Sequence, residues 1–173
     1  MTEFIVKIIA DGAVIPVVII GAWALLWYVP HKDKYYAYCR MLLAGLTAYL
    51  TAKLIGFMYQ PEAMRPFEKL GIDPGAAFLN NPGFPSDHVL FCMVITLAVL
   101  FETGRRKLAA LLFLLTLTVG IGRVIALVHT PLDVLGGLLI ACVGIPWYFA
   151  VDSKAQARIF KKHTRVKSKK RVK

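Results

Sequence analysis

Residues 108–133 read LAALLFLLTLTVGIGRVIALVHTPLD. From Leu108 to Val128 the only charge is Arg123, and the stretch is as long as an α-helix needs to be to cross a bilayer, roughly 20 residues. Four further windows share this character: Ala13–Val29, Tyr35–Tyr59, Val89–Phe101 and Leu132–Val151. The window Val89–Phe101 is short unless the helix begins at Ser86. Of the 173 residues 58% are hydrophobic, more than an ordinary soluble domain carries. A soluble all-α core would need amphipathic helices to cover it, and the chain has none long enough. The expected fold is all-α, a polytopic membrane bundle of about five transmembrane helices.

The net charge of +11 is unevenly placed. Residues 154–173 hold ten Lys and Arg and no Asp or Glu. A basic tail can serve as a nucleic-acid arm, but beside a membrane helix it marks the cytoplasmic side and meets anionic lipid headgroups. No nucleic-acid partner is therefore expected. HKDK at 31–34 and GRRK at 104–107 lie in two other turns on the same side. The predicted organisation is a membrane-embedded domain, 1–153, and a cytoplasmic tail, 154–173. The N-terminus then lies outside, and the loop 60–87, Arg123 and His129–Asp133 meet at one extracytoplasmic face. In MTEFIVKIIAD, residues 1–11, Phe4, Ile5, Ile8 and Ile9 recur at helical spacing, which predicts an interfacial helix on the outer surface. The first window lacks the basic flank and cleavage site of a signal peptide. Cys39, Cys92 and Cys142 all fall in apolar windows and read as small buried hydrophobes.

Polar residues concentrate where charge is expensive. In HTPLD, Thr130 suits an N-cap and Pro131 a first helical turn. His129 then precedes the helix, with Asp133 placed to fix its tautomer and stabilise its protonated form. In FPSDH, residues 84–88, Ser86 is a candidate N-cap beside Asp87 and His88, with free backbone N–H groups suited to an anion. Arg65 and Arg123 complete a phosphate-sized cluster. Each piece has a plainer reading alone: a capping pair, an N-cap signal, arginines and Lys53 reaching for headgroups. Their shared membrane face favours a functional site.

The order Arg65-Pro66, then Pro85-Ser86-Asp87-His88, then Arg123…His129…Asp133 resembles the three-part signature of the type 2 phosphatidic acid phosphatase superfamily. FPSDH, RPF and VHTPLDVLGG resemble its bacitracin-resistance branch, the undecaprenyl-pyrophosphate phosphatases. Two positions depart from the family pattern. Met58 stands where many members carry a Lys, and Gly122 where a Ser usually precedes the arginine.

The resemblance implies a lipid phosphatase in a bacterial plasma membrane. His129 is the expected nucleophile, oriented by Asp133, and His88 the acid and then the base. Arg65, Arg123 and Ser86 are expected to bind phosphate. No metal or other cofactor is expected, because the arginines neutralise the phosphate. Asp87 would repel an anion unless it orients His88 or an arginine, which is its expected supporting role. The implied reaction converts undecaprenyl pyrophosphate to undecaprenyl phosphate and phosphate. Phosphatidate or phosphatidylglycerol phosphate is the alternative substrate, and a non-catalytic lipid-phosphate binder or transporter the alternative class.

Overall fold

A helix rich in large apolar residues can turn them toward its neighbours or toward its surroundings, and Lys34–Met58 turns them outward. Leu42, Leu46, Leu50 and Leu54 recur every fourth residue and are 48–70% exposed, while Ala37, Ala44, Ala48 and Ala52 are buried. Small residues inside and large apolar ones outside make a helix suited to lipid, where close backbone approach drives association.

The computed structural model describes residues 6–61, 64–78 and 83–150, and every regular element within them is helical. A π turn, Ile8–Gly12, leads into α1, Val14–Tyr28. A 3-10 turn at His31–Asp33 precedes α2, Lys34–Met58. The short α3, Pro66–Leu70, lies in the long loop. It is followed by α4, Asp87–Thr103, and α5, Arg106–Ile125. The chain then enters α6, Pro131–Ala141, and passes through a 3-10 turn, Cys142–Gly144, into α7, Pro146–Ala150. The basic tail expected at 154–173 lies outside the described residues.

Among the described residues, four helical runs are long and apolar enough to cross a membrane: Ile8–Tyr28, His31–Met58, Arg106–Ile125 and Pro131–Phe149. The remaining apolar window forms α4, whose 17 residues extend about 26 Å at 1.5 Å per residue. This helix is the hub. It packs on α1, α2, α5 and α6, and buries Val89, Leu90, Cys92, Leu97, Ala98 and Val99. As the sequence suggested, it begins beside Ser86, and polar residues occupy its first turn.

The N-terminal segment is helical where it is described. Phe4 and Ile5 lie outside the described residues, and from Ile8 the helix runs on into the first candidate span. It packs on α5, where Gly122 leaves room for it. A Cβ at Gly122 would stand 2.8 Å from the backbone nitrogen of Ala10, which is fully buried.

Several buried polar groups within the bundle are matched. Arg40 donates from Nε and Nη2 to the two carboxylate oxygens of Glu102, at 2.8 and 2.6 Å. The Thr96 and Thr116 hydroxyls are 3.2 Å apart and bond the Cys92 and Leu112 carbonyls, each at 2.9 Å. The three cysteines are free thiols.

Close contact between α6 and the start of α4 depends on Gly137. A Cβ there would stand 2.8 Å from the Ser86 carbonyl oxygen, a backbone atom that cannot swing away. Gly137→Ala is expected to destabilise the fold by about 1–3 kcal/mol through overpacking. Gly45→Ala, whose Cβ would make an ordinary 3.4 Å contact with Val94, should leave stability unchanged or raise it slightly. Thermal unfolding in detergent checks the pair.

Candidate active site

The site is assembled where α5 turns into α6. Leu127 adopts a left-handed conformation, φ 59, uncommon outside glycine. It is held there by a hydrogen bond from its own N–H to Val124 O, 2.9 Å, and one from Phe67 N–H to its carbonyl, 3.0 Å. The N–H groups of Val128 and His129 both reach back to Arg123 O at 3.3 Å. This reversal sets His129, 5% exposed, against the first turn of α6.

The first turn forms as HTPLD predicts. Thr130 Oγ1 accepts from Asp133 N–H at 3.2 Å, and Asp133 Oδ2 accepts from Thr130 N–H at 2.7 Å, a reciprocal cap. The same Oδ2 lies 3.5 Å from His129 Nδ1. That separation is long for a hydrogen bond, so the pair is aligned but not closed, as catalytic pairs often are before substrate binds.

The mouth of α4 is tied to this turn, with Ser86 N–H donating to the Asp133 carbonyl at 3.0 Å. Ser86 occupies the N-cap position as expected, yet its hydroxyl does not cap the helix. Its Oγ is fully buried and unpartnered, as are His129 Nδ1 and Arg123 Nε. Nearly all buried polar atoms in proteins are paired, and three exceptions in one place point to a polar ligand.

Both expected arginines are there and oriented. Arg65 Nη1 donates to Val128 O at 2.5 Å, and its guanidinium lies 5.3 Å from the Phe78 ring centroid. Arg123 is 1% exposed. Its Nη1 donates to Asp11 Oδ1 at 2.7 Å and to Ala77 O at 2.8 Å. His88, in the first turn of α4, lies within electrostatic reach of Arg123, Asp11 and His129. The expected catalytic and phosphate-binding residues thus converge at one end of the bundle.

Asp87 has a partner other than His88. Both of its oxygens accept from Lys53 Nζ, at 2.9 and 2.8 Å. The lysine neutralises a carboxylate that would otherwise repel an anion at the mouth. Asp11 escaped sequence reasoning, because nothing in the chain links position 11 to position 123. Its one signal was an acid at the edge of an apolar run. Among the described residues, no group of three or more His, Cys, Asp or Glu side chains is placed to hold a metal ion.

Burial lowers the pKa of His129 below its usual 6.5; Arg123 and Arg65 push the same way, and Asp133 opposes them. The imidazole is therefore neutral near pH 7. Asp133 faces Nδ1, so a proton there leaves the Nε2 lone pair available for attack. Burial likewise holds Arg65 below the usual arginine range, opposed first by the Asp133 charge.

Fold and site define a helical membrane protein with a buried histidine–aspartate pair beside two buried arginines. The profile of the PAP2 superfamily matches residues 34–157, and the chain belongs to that family of phosphatases. No curated protein and no solved structure matches the chain.

The environment of His129 gives a direct expectation for its titration. In ¹⁵N NMR of histidine-labelled protein, the His129 resonance, assigned with His129→Gln, should titrate below pH 6.5. Asp133→Asn removes the influence that raises the pKa, so its midpoint should fall further. A midpoint above 6.5, or an upward shift in Asp133→Asn, contradicts the electrostatic balance described.

Proposed function

We propose that this phosphatase removes the terminal phosphate from undecaprenyl pyrophosphate, releasing undecaprenyl phosphate and inorganic phosphate. The observation that carries a lipid substrate is the placement of the His129–Asp133 pair, Arg65, Arg123 and Ser86 at the rim of a bundle with an apolar outer surface. A phosphate can enter that rim while its hydrocarbon chain stays in the bilayer. The choice of a polyprenyl pyrophosphate is supported by the FPSDH, RPF and VHTPLDVLGG stretches.

His129 Nε2 attacks the terminal phosphorus, and the P–O bond to the leaving phosphate breaks as the N–P bond forms. Asp133, aligned on Nδ1, stabilises the imidazolium character that develops. Arg65, Arg123 and Ser86 Oγ hold the phosphoryl oxygens, where charge stabilisation and positioning supply most of the catalysis. His88 gives a proton to the leaving oxygen. It then takes one from the water that cleaves the phosphohistidine, releasing inorganic phosphate and restoring His129.

The proposed orientation sets this site outside a bacterial plasma membrane. It is supported by cations at the other end, where Arg105 lies 4.1 Å from the Tyr28 ring centroid and Arg106 and Lys107 line the same groove. Such a surface suits anionic headgroups.

Phosphate release by purified protein from undecaprenyl pyrophosphate, phosphatidate and phosphatidylglycerol phosphate tests the substrate. The pyrophosphate lipid is expected to turn over fastest. Preference for phosphatidate or phosphatidylglycerol phosphate moves the assignment within the class, and binding without release makes the protein a carrier. His129→Ala should keep the fold and lower turnover by about 10³-fold or more, with loss of the acid-labile phosphoenzyme formed from ³²P-labelled substrate.

Sidedness has its own test. In a background lacking the native cysteines, a cysteine in the 68–80 loop should react with an impermeant thiol reagent in intact cells, and one at 165–170 should not. The reverse pattern puts the site on the cytoplasmic face.

A further inference from the structure

Gly122, which stands where the resembled family carries a serine before the site arginine, has a structural counterpart at the other end of the chain. The volume a side chain would occupy is filled by the π turn. A Cβ on Gly122 would come within 2.8 Å of Ala10 N and 2.9 Å of Ala10 Cα. The next residue is Asp11, and its carboxylate meets Arg123. The position that forgoes a hydroxyl therefore admits a carboxylate from residues outside the 34–157 family match.

We propose that Asp11 is a positioning residue of this active site, admitted by Gly122 and acting through Arg123. The inference rests on the reading of Arg123 as a phosphate ligand. The two Asp11 oxygens have separate duties. Oδ1 holds Arg123 Nη1 at 2.7 Å, while Oδ2 accepts from Ala77 N–H at 2.9 Å. Ala77 O returns to the same Nη1 at 2.8 Å. The segment carrying Ala77 is itself docked on the site turn, since Gly75 N–H donates to Ala126 O at 3.1 Å. Carboxylate, loop backbone and guanidinium close a ring that fixes Nη1.

Fixing Nη1 selects the edge of Arg123 that remains for substrate. Its Nε is buried and unpartnered, so the Nε–Nη2 edge is left for two parallel bonds to phosphoryl oxygens. A buried guanidinium held in one orientation needs no reorganisation when the phosphate arrives, which is the condition for strong transition-state stabilisation. The π turn contributes directly, because a wide turn shifts helical register and often marks functional positions. It carries Ala10 into the slot at Gly122 and Asp11 onto Arg123.

The test uses the full chain in detergent, with phosphate release from undecaprenyl pyrophosphate and from phosphatidate. Asp11→Asn keeps the shape but not the charge, and its amide nitrogen cannot accept from Ala77. In protein still folded at the assay temperature by its unfolding curve, it should lower kcat by about 10²-fold, the scale of a misplaced catalytic contact, with KM changed much less. Gly122→Ser, which displaces the turn, should reproduce that kinetic profile, each variant at some cost in unfolding temperature. The double variant should be no slower than the slower single one, and Asp11→Glu should recover part of the rate.

Wild-type kcat in Asp11→Asn, or losses that multiply in the double variant, overturns the proposal. Should Asp11→Asn fail to fold, Asp11→Glu and Gly122→Ser decide by the same kcat and KM comparison. Arg123→Ala separates the two levels of inference. If it retains full activity, the phosphate-ligand reading fails; if it is inactive while Asp11→Asn is unimpaired, only the role of Asp11 fails.

Discussion

A guanidinium that keeps its proton at any physiological pH and exposes 1% of its surface dictates the organisation of one end of this bundle. Arg123 sits at the end of an apolar helix, where an unmatched charge would cost several kcal/mol. The protein answers with a carboxylate from the opposite end of the sequence and a carbonyl from the long loop. Placing those partners requires the π turn, the space at Gly122 and the docking of the 75–78 segment. The N-terminus and the loop are thereby built into the site.

Side-chain size connects packing to chemistry. Inward alanines on α2 and the glycines of α5 and α6 bring helical backbones close, while the large apolar residues face outward. Close approach lets Ser86 N–H reach the Asp133 carbonyl. That single backbone bond joins the helix carrying His88 to the one that His129 and Asp133 introduce. A bundle held apart by larger inward residues would separate the proposed acid from the proposed nucleophile.

Neighbouring charges divide the electrostatic work at the mouth. The two arginines favour an anion and, with burial, keep His129 neutral. Asp133 works against that effect in the free protein and is aligned to favour positive charge on the ring once attack begins. Asp87 is quenched by Lys53, so the negative charge beside His88 does not oppose substrate entry. The same pair answers the question raised by an acidic residue in FPSDH.

Hydrophobic length and short-range motifs made much of this protein legible without coordinates. The apolar windows define spans because a bilayer imposes a minimum length, and Thr130, Pro131 and Asp133 define a helix start because their cap is local. The spacing of Arg123, His129 and Asp133 foretold a histidine beside a carboxylate. The pairings Asp11–Arg123 and Lys53–Asp87 could not be read in that way, since each joins residues on different helices with no periodicity between them. The packing of Ala10 onto α5 was likewise hidden, because it depends on a slot left by a glycine more than a hundred residues away. Local chemistry named the groups of the site, and only tertiary packing chose their counter-charges, because a buried charge takes its partner from whatever the fold brings within reach.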